Sequence, residues 1–173
     1  MNPDLIEPLP DFLSDPTWCP VEIATLCFVI RNGEILLIRK KRGLGAGKIN
    51  GPGGRLEPGE TPLQAAIRET EEELGVTPLE PEWAGTLRFE FLDGYRLDCS
   101  VFVAFDCIGT AIETDEAVPM WTPLAEIPYD EMWADDRFWL PGVIEGGKFL
   151  GFFRFNGEEM LQKAVFWLGS RPE

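Results

Sequence analysis

Glu69, Glu72 and Glu73 stand at i, i+3 and i+4 in a stretch with helical spacing, which sets their carboxylates on one side of a helix. Like charges at that spacing each cost roughly 0.2–0.5 kcal/mol per pair, and acids in the C-terminal half also oppose the helix dipole. A solvated acidic face relieved by Arg68 is one way to carry that strain. A hard divalent cation is another, because magnesium takes carboxylate and carbonyl oxygens, keeps several waters, and completes its shell with substrate phosphates. Upstream, Arg39-Lys40-Lys41-Arg42 runs directly into Gly43-Leu44-Gly45-Ala46-Gly47-Lys48. Glycine-rich backbone beside lysines brings amide donors close to phosphate oxygens. Together the two features suit cleavage of a phosphate anhydride, in which the ion neutralises the polyphosphate, orients it and acidifies a water.

Composition narrows the alternatives. The chain has 173 residues and no histidine, which excludes serine–histidine triads, histidine general bases and histidine-rich zinc sites. With 45% apolar residues it can bury a core without disulfide or metal staples, so one globular domain is expected. The net charge of −15 argues against nucleic-acid polymers and anionic membranes as partners. That charge is unevenly spread: residues 31–68 carry a local +5 and the remainder −20. Cys19, Cys27, Cys99 and Cys107 form no C-x-x-C pair, and three of them fall in strand-like runs, as reduced core cysteines would. The first basic residue is Arg31, so no secretory signal is expected, and a cytoplasmic location follows from both features.

The elements that must position these groups are legible. Residues 1–20 hold five prolines, four acids and no base, and read as an extended acidic tail, with a single domain over 21–173. Val21 to Ile30, Asn32-Gly33 and Ile35 to Ile38 predict a hairpin. Leu87, Phe89 and Phe91, the Asp93-Gly94 turn, and Leu97, Cys99, Val101, Val103 and Phe105 predict a second. Between them lie the glycine-rich loop, Gly43 to Gly59, and a helix with Thr61 as N-cap, Pro62 at the first position, Gln64 closing a capping box and Gly75 ending it. Leu63, Ala66, Ile67, Thr70 and Leu74 form its expected core-facing stripe. A short helix is expected near Asp136 to Glu145 despite Pro141, and Asn156-Gly157 favours a closing hairpin over a helix at Glu158 to Leu168. The sum is an α+β fold with a mixed sheet.

From Gly54 the chain reads Gly54, five residues, Glu60, seven residues, then Arg68-Glu69-Thr70-Glu71-Glu72-Glu73-Leu74-Gly75-Val76. This resembles the Nudix box, G-x5-E-x7-R-E-U-x-E-E-x-G-U with U aliphatic, at every restricted position except the first U, where Thr70 stands. The likeness extends from about Thr25 to Asn156 and is similar to the MutT-type branch of Nudix hydrolases that acts on oxidised purine nucleoside triphosphates. It is carried by Lys40 to Gly51, Phe89-Glu90-Phe91, Thr114-Asp115-Glu116 and Asp130-Glu131-Met132-Trp133-Ala134-Asp135-Asp136 with Trp139.

The resemblance implies an α/β/α sandwich with a mixed sheet and a catalytic loop–helix–loop. It implies magnesium, with manganese as substitute, on the Gly53 carbonyl, Glu69, Glu72, Glu73 and Glu116. Catalysis would fall to Glu69 and to Glu72 or Glu116 as the base. Thr25, Lys40, Leu44, Asn50, Gly53, Gly54, Arg55, Phe89, Trp133, Asp135 and Asp136 would bind the nucleotide. Trp133 offers a stacking face, Asn50 a donor and an acceptor, and adjacent Asp135 and Asp136 could share a proton, although they also read as an N-cap with first-turn charge. Trp139 reads as core. Leu44 and Pro52 stand where mammalian relatives carry aromatics, and Ala134 where they carry proline, which bears on pocket shape. The expected activity is hydrolysis of a purine nucleoside triphosphate to monophosphate and pyrophosphate by a monomer. The alternatives are another nucleoside diphosphate-linked substrate (a nucleotide sugar, dinucleotide or capped RNA) or a non-catalytic nucleotide sensor.

Overall fold

Strand β1 (Glu22–Arg31) turns at Asn32 and Gly33, both with positive φ (53° and 74°), into β2 (Glu34–Lys40). The computed structural model describes residues 10–169. After β2 come β3 (Ile49–Asn50), β4 (Gly53–Arg55), α1 (Pro62–Leu74), β5 (Thr77–Pro78), β6 (Glu82–Phe91), β7 (Arg96–Ala104), β8 (Cys107–Ile108) and β9 (Ala117–Pro123). The chain closes with α2 (Asp136–Ile144), β10 (Lys148–Asn156) and β11 (Glu159–Leu168). All three expected hairpins form, and the last is an antiparallel β10–β11 pair.

The first hairpin opens rather than zips. β1 and β2 pair only at Ile30↔Ile35 and Arg31↔Glu34. Beyond those residues β1 runs parallel to β7 and antiparallel to β4, while β2 pairs with β9 and β3. The resulting sheet order is β11-β10-β6-β7-β1-β2-β3, with β4 on β1 and β9 on β2, and β6–β10 is a second parallel pair. The divergence of β1 from β2 leaves a cleft between them.

The helices lie on opposite faces of this mixed sheet, as strand alternation dictates. Cys27 and Val29 of β1 face the clusters that hold Ala66 and Leu74 of α1, while Phe28 and Ile30 face the cluster that holds Trp139, Leu140 and Val143 of α2. Trp139 is fully buried, stacked on Phe149 at 5.1 Å between centroids and edge-on to Phe28 at 6.0 Å, in keeping with its reading as core. Cys27, Cys99 and Cys107 are buried free thiols and Cys19 is exposed. Among the described residues no helix is long and apolar enough to cross a membrane.

Three expectations need correction. Leu63, assigned to the core stripe of α1, is exposed; the buried side is Ala65, Ala66, Thr70, Glu73 and Leu74, whose small members let the helix approach the sheet closely. Phe105, assigned to the inner face of β7, lies past the strand end and is 64% exposed. The tail is also less loose than its composition suggests. Residues 1–9 lie outside the described part, but Asp11–Ser14 form a 3-10 turn whose Phe12 is buried against Trp18 and Phe152, with Asp11 paired to Arg154 at 2.9 Å.

Candidate active site

Thr61 and Gln64 make both bonds of the capping box, so the first turn of α1 is anchored where the glycine-rich loop ends. At the far end Gly75 takes the left-handed conformation (φ 73°) and its N–H caps the Glu71 carbonyl. Thr70 departs from the aliphatic position of the box at no polar cost, because its buried hydroxyl donates to the Ala66 carbonyl at 2.8 Å. The helix is thereby fixed at both ends with Glu69 and Glu73 toward β4.

Arg68 organises those acids. Its guanidinium donates to Glu60 at 2.6 and 2.9 Å, to Glu69 at 3.0 Å, to Glu72 at 3.1 Å and to the Arg55 carbonyl at 3.0 Å. The bidentate Arg68 pair holds the Glu60 carboxyl down at about 2 and locks loop to helix. The sequence showed Glu60 only as a box position and Arg68 as a counter-charge to the acidic face; the structure makes them the brace of the loop–helix unit.

The three glutamates of α1 do not act alike. Carboxylate oxygens of Glu69, Glu73 and Glu116 lie within 4.8 Å of one another, whereas Glu72 is half exposed, paired to Arg68 and outside that group. Glu73 is buried, with Oε2 lacking any hydrogen-bond partner. Burial first, then the charge of Glu69, pushes its carboxyl up to about 8, against the opposing effects of Lys40 and of the Gly53 N–H donated to it. Glu69 is raised as well, mainly by burial. A Cβ on Gly53 would fall 1.9 Å from the Thr25 carbonyl oxygen, so the approach of β4 to β1 requires glycine there, and one on Gly54 would fall 2.4 Å from Glu69 Cδ and force that carboxylate to move. Three converging carboxylates, one with an orphaned buried oxygen, are a donor set for a hard cation and a poor arrangement without one.

A cleft of about 210 Å³ adjoins the carboxylates, in the space between the diverging β1 and β2. Thr25, Lys40, Leu44, Asn50, Gly53, Gly54, Arg55, Phe89, Trp133, Asp135 and Asp136 all line it, so every residue expected to bind nucleotide is brought together. Trp133 meets Phe91 and Phe155 edge-on at 6.1 and 5.5 Å, and Lys48 Nζ lies 5.4 Å from its ring centroid. The Asn50 side-chain oxygen Oδ1 already accepts from the Gly51 N–H at 2.8 Å, so that acceptor is partly spent on the adjoining backbone. The Lys40 ammonium donates to the Leu44 carbonyl at 3.0 Å, at the lip of the cleft.

Asp135 and Asp136 are both buried. Asp135 occupies the N-cap of α2 with helical dihedrals and makes no capping bond; instead Oδ2 accepts from Trp139 Nε1 at 2.9 Å. Asp135 Oδ1 and Asp136 Oδ2 are buried without partners. Burial raises the Asp135 carboxyl to about 6, and burial together with the Asp135 charge raises Asp136 well above the carboxylate range. Burial and the neighbouring charge thus favour the protonated form of Asp136, which sets a donor beside an acceptor.

Other lining residues escaped sequence reasoning. Leu87, Phe91 and Leu97 were legible as an inward strand face but not as cleft wall, and Phe155 arrives from the last hairpin. At one rim Glu22 accepts from the Tyr95 hydroxyl and from Arg55 Nε at 2.9 Å, a contact spanning 73 residues for which no local signal exists.

The comparisons agree with this geometry. The NUDIX domain model matches residues 20–142. The chain is 42% identical over 141 residues to an oxidized purine nucleoside triphosphate hydrolase of Danio rerio, covering 81% of this chain and 90% of that protein. It is 38% identical over 138 residues to the protein of the same name from Mus musculus, covering 79% and 88%. The crystal structure of a MutT protein from Bacillus halodurans superposes with a TM-score of 0.76 at 26% identity, over 84% of this chain and 97% of that one. By the box, the fold and these relatives, the chain belongs to the Nudix hydrolase family.

Proposed function

We propose that the protein hydrolyses oxidised purine nucleoside triphosphates to the monophosphate and pyrophosphate, and so clears damaged nucleotides from the pool. One observation carries the reading: a cleft with a buried aspartate pair beside an aromatic wall has Gly54 in its lining, and Gly54 packs against Glu69 of a cluster of three carboxylates. Its relatives' names point the same way. Magnesium is the proposed ion, with manganese as substitute, held by Glu69, Glu73, Glu116 and the Gly53 carbonyl. When bound, such an ion neutralises and orients the triphosphate and acidifies a water.

The chain's own groups do the rest. Trp133 stacks on the purine, and the Asp135–Asp136 pair donates to one edge atom and accepts from another. Moving that one proton lets the pair match different oxidised purines. Lys40 and the loop amides meet the phosphates, which lowers the repulsion from a protein of charge −15. Glu72 lies outside the carboxylate cluster and is not spent as a ligand there, which supports it as the group that takes the proton from the attacking water; Glu116, inside the cluster, serves as ligand. We place the enzyme in the cytoplasm as a monomer.

The test is pyrophosphate release from a panel of nucleoside triphosphates, a nucleotide sugar, a dinucleotide and a capped RNA at equal concentration with magnesium. Turnover confined to purine triphosphates supports the reading. Turnover of a diphosphate-linked compound alone overturns the substrate, and nucleotide binding without turnover of any compound makes the protein a sensor.

A further inference from the structure

Glu116 has two claimants. Its carboxylate belongs to the cluster with Glu69 and Glu73, and one oxygen also accepts from Arg42 Nη2 at 2.8 Å. The backbone around it is pinned without that ion pair. The Lys41 N–H donates to the Glu116 carbonyl at 2.9 Å, the Glu116 N–H donates to Thr114 Oγ1 at 3.2 Å, and that hydroxyl donates to the Glu73 carbonyl at 2.7 Å. Arg42 is therefore not needed to place the loop, and what it holds is the carboxylate itself.

The pair is built to be given up. The Arg42 side chain is 66% exposed and that of Glu116 38%, a setting in which an ion pair is weak and readily exchanged. Arg42 also stands at the root of the glycine-rich loop, two residues after Lys40 and beside Gly43 and Leu44 of the cleft wall. A guanidinium fork fits a carboxylate and a phosphate equally well. Its neighbour Lys41 carries the same charge but pairs with Glu113 at 2.6 Å.

We propose that Arg42 is an exchangeable latch: it occupies the Glu116 carboxylate while no divalent cation is bound, and once a cation claims that carboxylate its freed guanidinium engages the polyphosphate of the substrate. The second half rests on the triphosphate reading above; the first half concerns the cation alone.

Titration of the full chain with Mn²⁺, without nucleotide, followed by the electron paramagnetic resonance signal of free Mn²⁺, separates the two. Losing a competitor of this strength should tighten Mn²⁺ binding about threefold in Arg42→Ala, and in Arg42→Gln, which keeps most of the stem. Lys41→Ala removes an equal charge one residue away and should leave the affinity unchanged. Unchanged or weaker binding in the Arg42 variants overturns the latch, and so does equal tightening in Lys41→Ala, which would reflect only the general field. In steady-state assays Arg42→Ala should raise the KM for the triphosphate by a larger factor than it lowers kcat; an unaltered KM overturns the transfer to phosphate. Should no triphosphate be turned over, the functional reading falls while the Mn²⁺ comparison still decides whether Arg42 competes for Glu116.

Discussion

At the floor of the cleft, burial alters what an aspartate can do. Asp135, with its carboxyl raised to about 6, binds protons in the folded state at pH values where the unfolded chain has released them. Relative to the ionised carboxyl, that contribution to stability is present in full below about pH 4, declines as pH rises toward 6 and is lost above it, a total change of about 3 kcal/mol at most. Asp135→Asn keeps an acceptor for Trp139 and removes the charge. Urea unfolding from pH 4 to 8 should therefore show a smaller loss of stability with rising pH in the variant than in the parent; equal slopes would mean that the carboxyl is not perturbed. Sequence showed the two aspartates and their possible sharing of a proton. It could not show that Asp135 forgoes the cap, because that depends on the helical dihedrals at the N-cap and on a tryptophan four residues on.

The loop–helix element was the most legible part of the chain. Its cap, its proline, its terminal glycine and the box all depend on neighbours within a few turns, and each is found where expected. What spacing could not supply was the split among the acids. Ranking by residue type made Leu63 a core residue, yet the helix docks through Ala65, Ala66 and Thr70, and Glu73 goes in with them toward the Gly53 N–H, against the repulsion of Glu69 and Glu116. That docking depends on β4 lacking side chains. Gly54→Ala places a methyl group against the Glu69 carboxylate and should lower kcat/KM about 100-fold with the fold intact by circular dichroism, since misplacing a reacting group by about 1 Å costs that much. Shortening the acid in Gly54→Ala/Glu69→Asp should recover part of the loss. A wild-type rate in the single variant would show that the contact does not position Glu69.

Over the whole molecule, hairpins could be read from turns, but sheet order could not. The parallel pairings of β1 with β7 and β6 with β10 join strands far apart in sequence, and the first of them, together with the pairing of β2 with β9, opens the first hairpin into a cleft wall. Composition also overstated the positive field. Of the bases behind the local +5, Arg31, Arg39, Lys41, Arg42, Lys48, Arg55 and Arg68 are each paired with an acid, and six of these pairs reach acids outside that stretch: Asp106, Glu131, Glu113, Glu116, Glu158 and Glu22. Attraction for polyphosphate therefore falls to Lys40, backbone amides and a cation at the carboxylates, joined by Arg42 once a cation has taken its partner Glu116, while selectivity falls to the aspartate pair. The most direct measurement of that division is the ratio of kcat/KM for 8-oxo-dGTP to that for dGTP, by pyrophosphate release with magnesium near neutral pH. The account predicts a ratio of at least about 10, the discrimination that one well-placed hydrogen-bonding contact supplies. Equal values for the two nucleotides would contradict it.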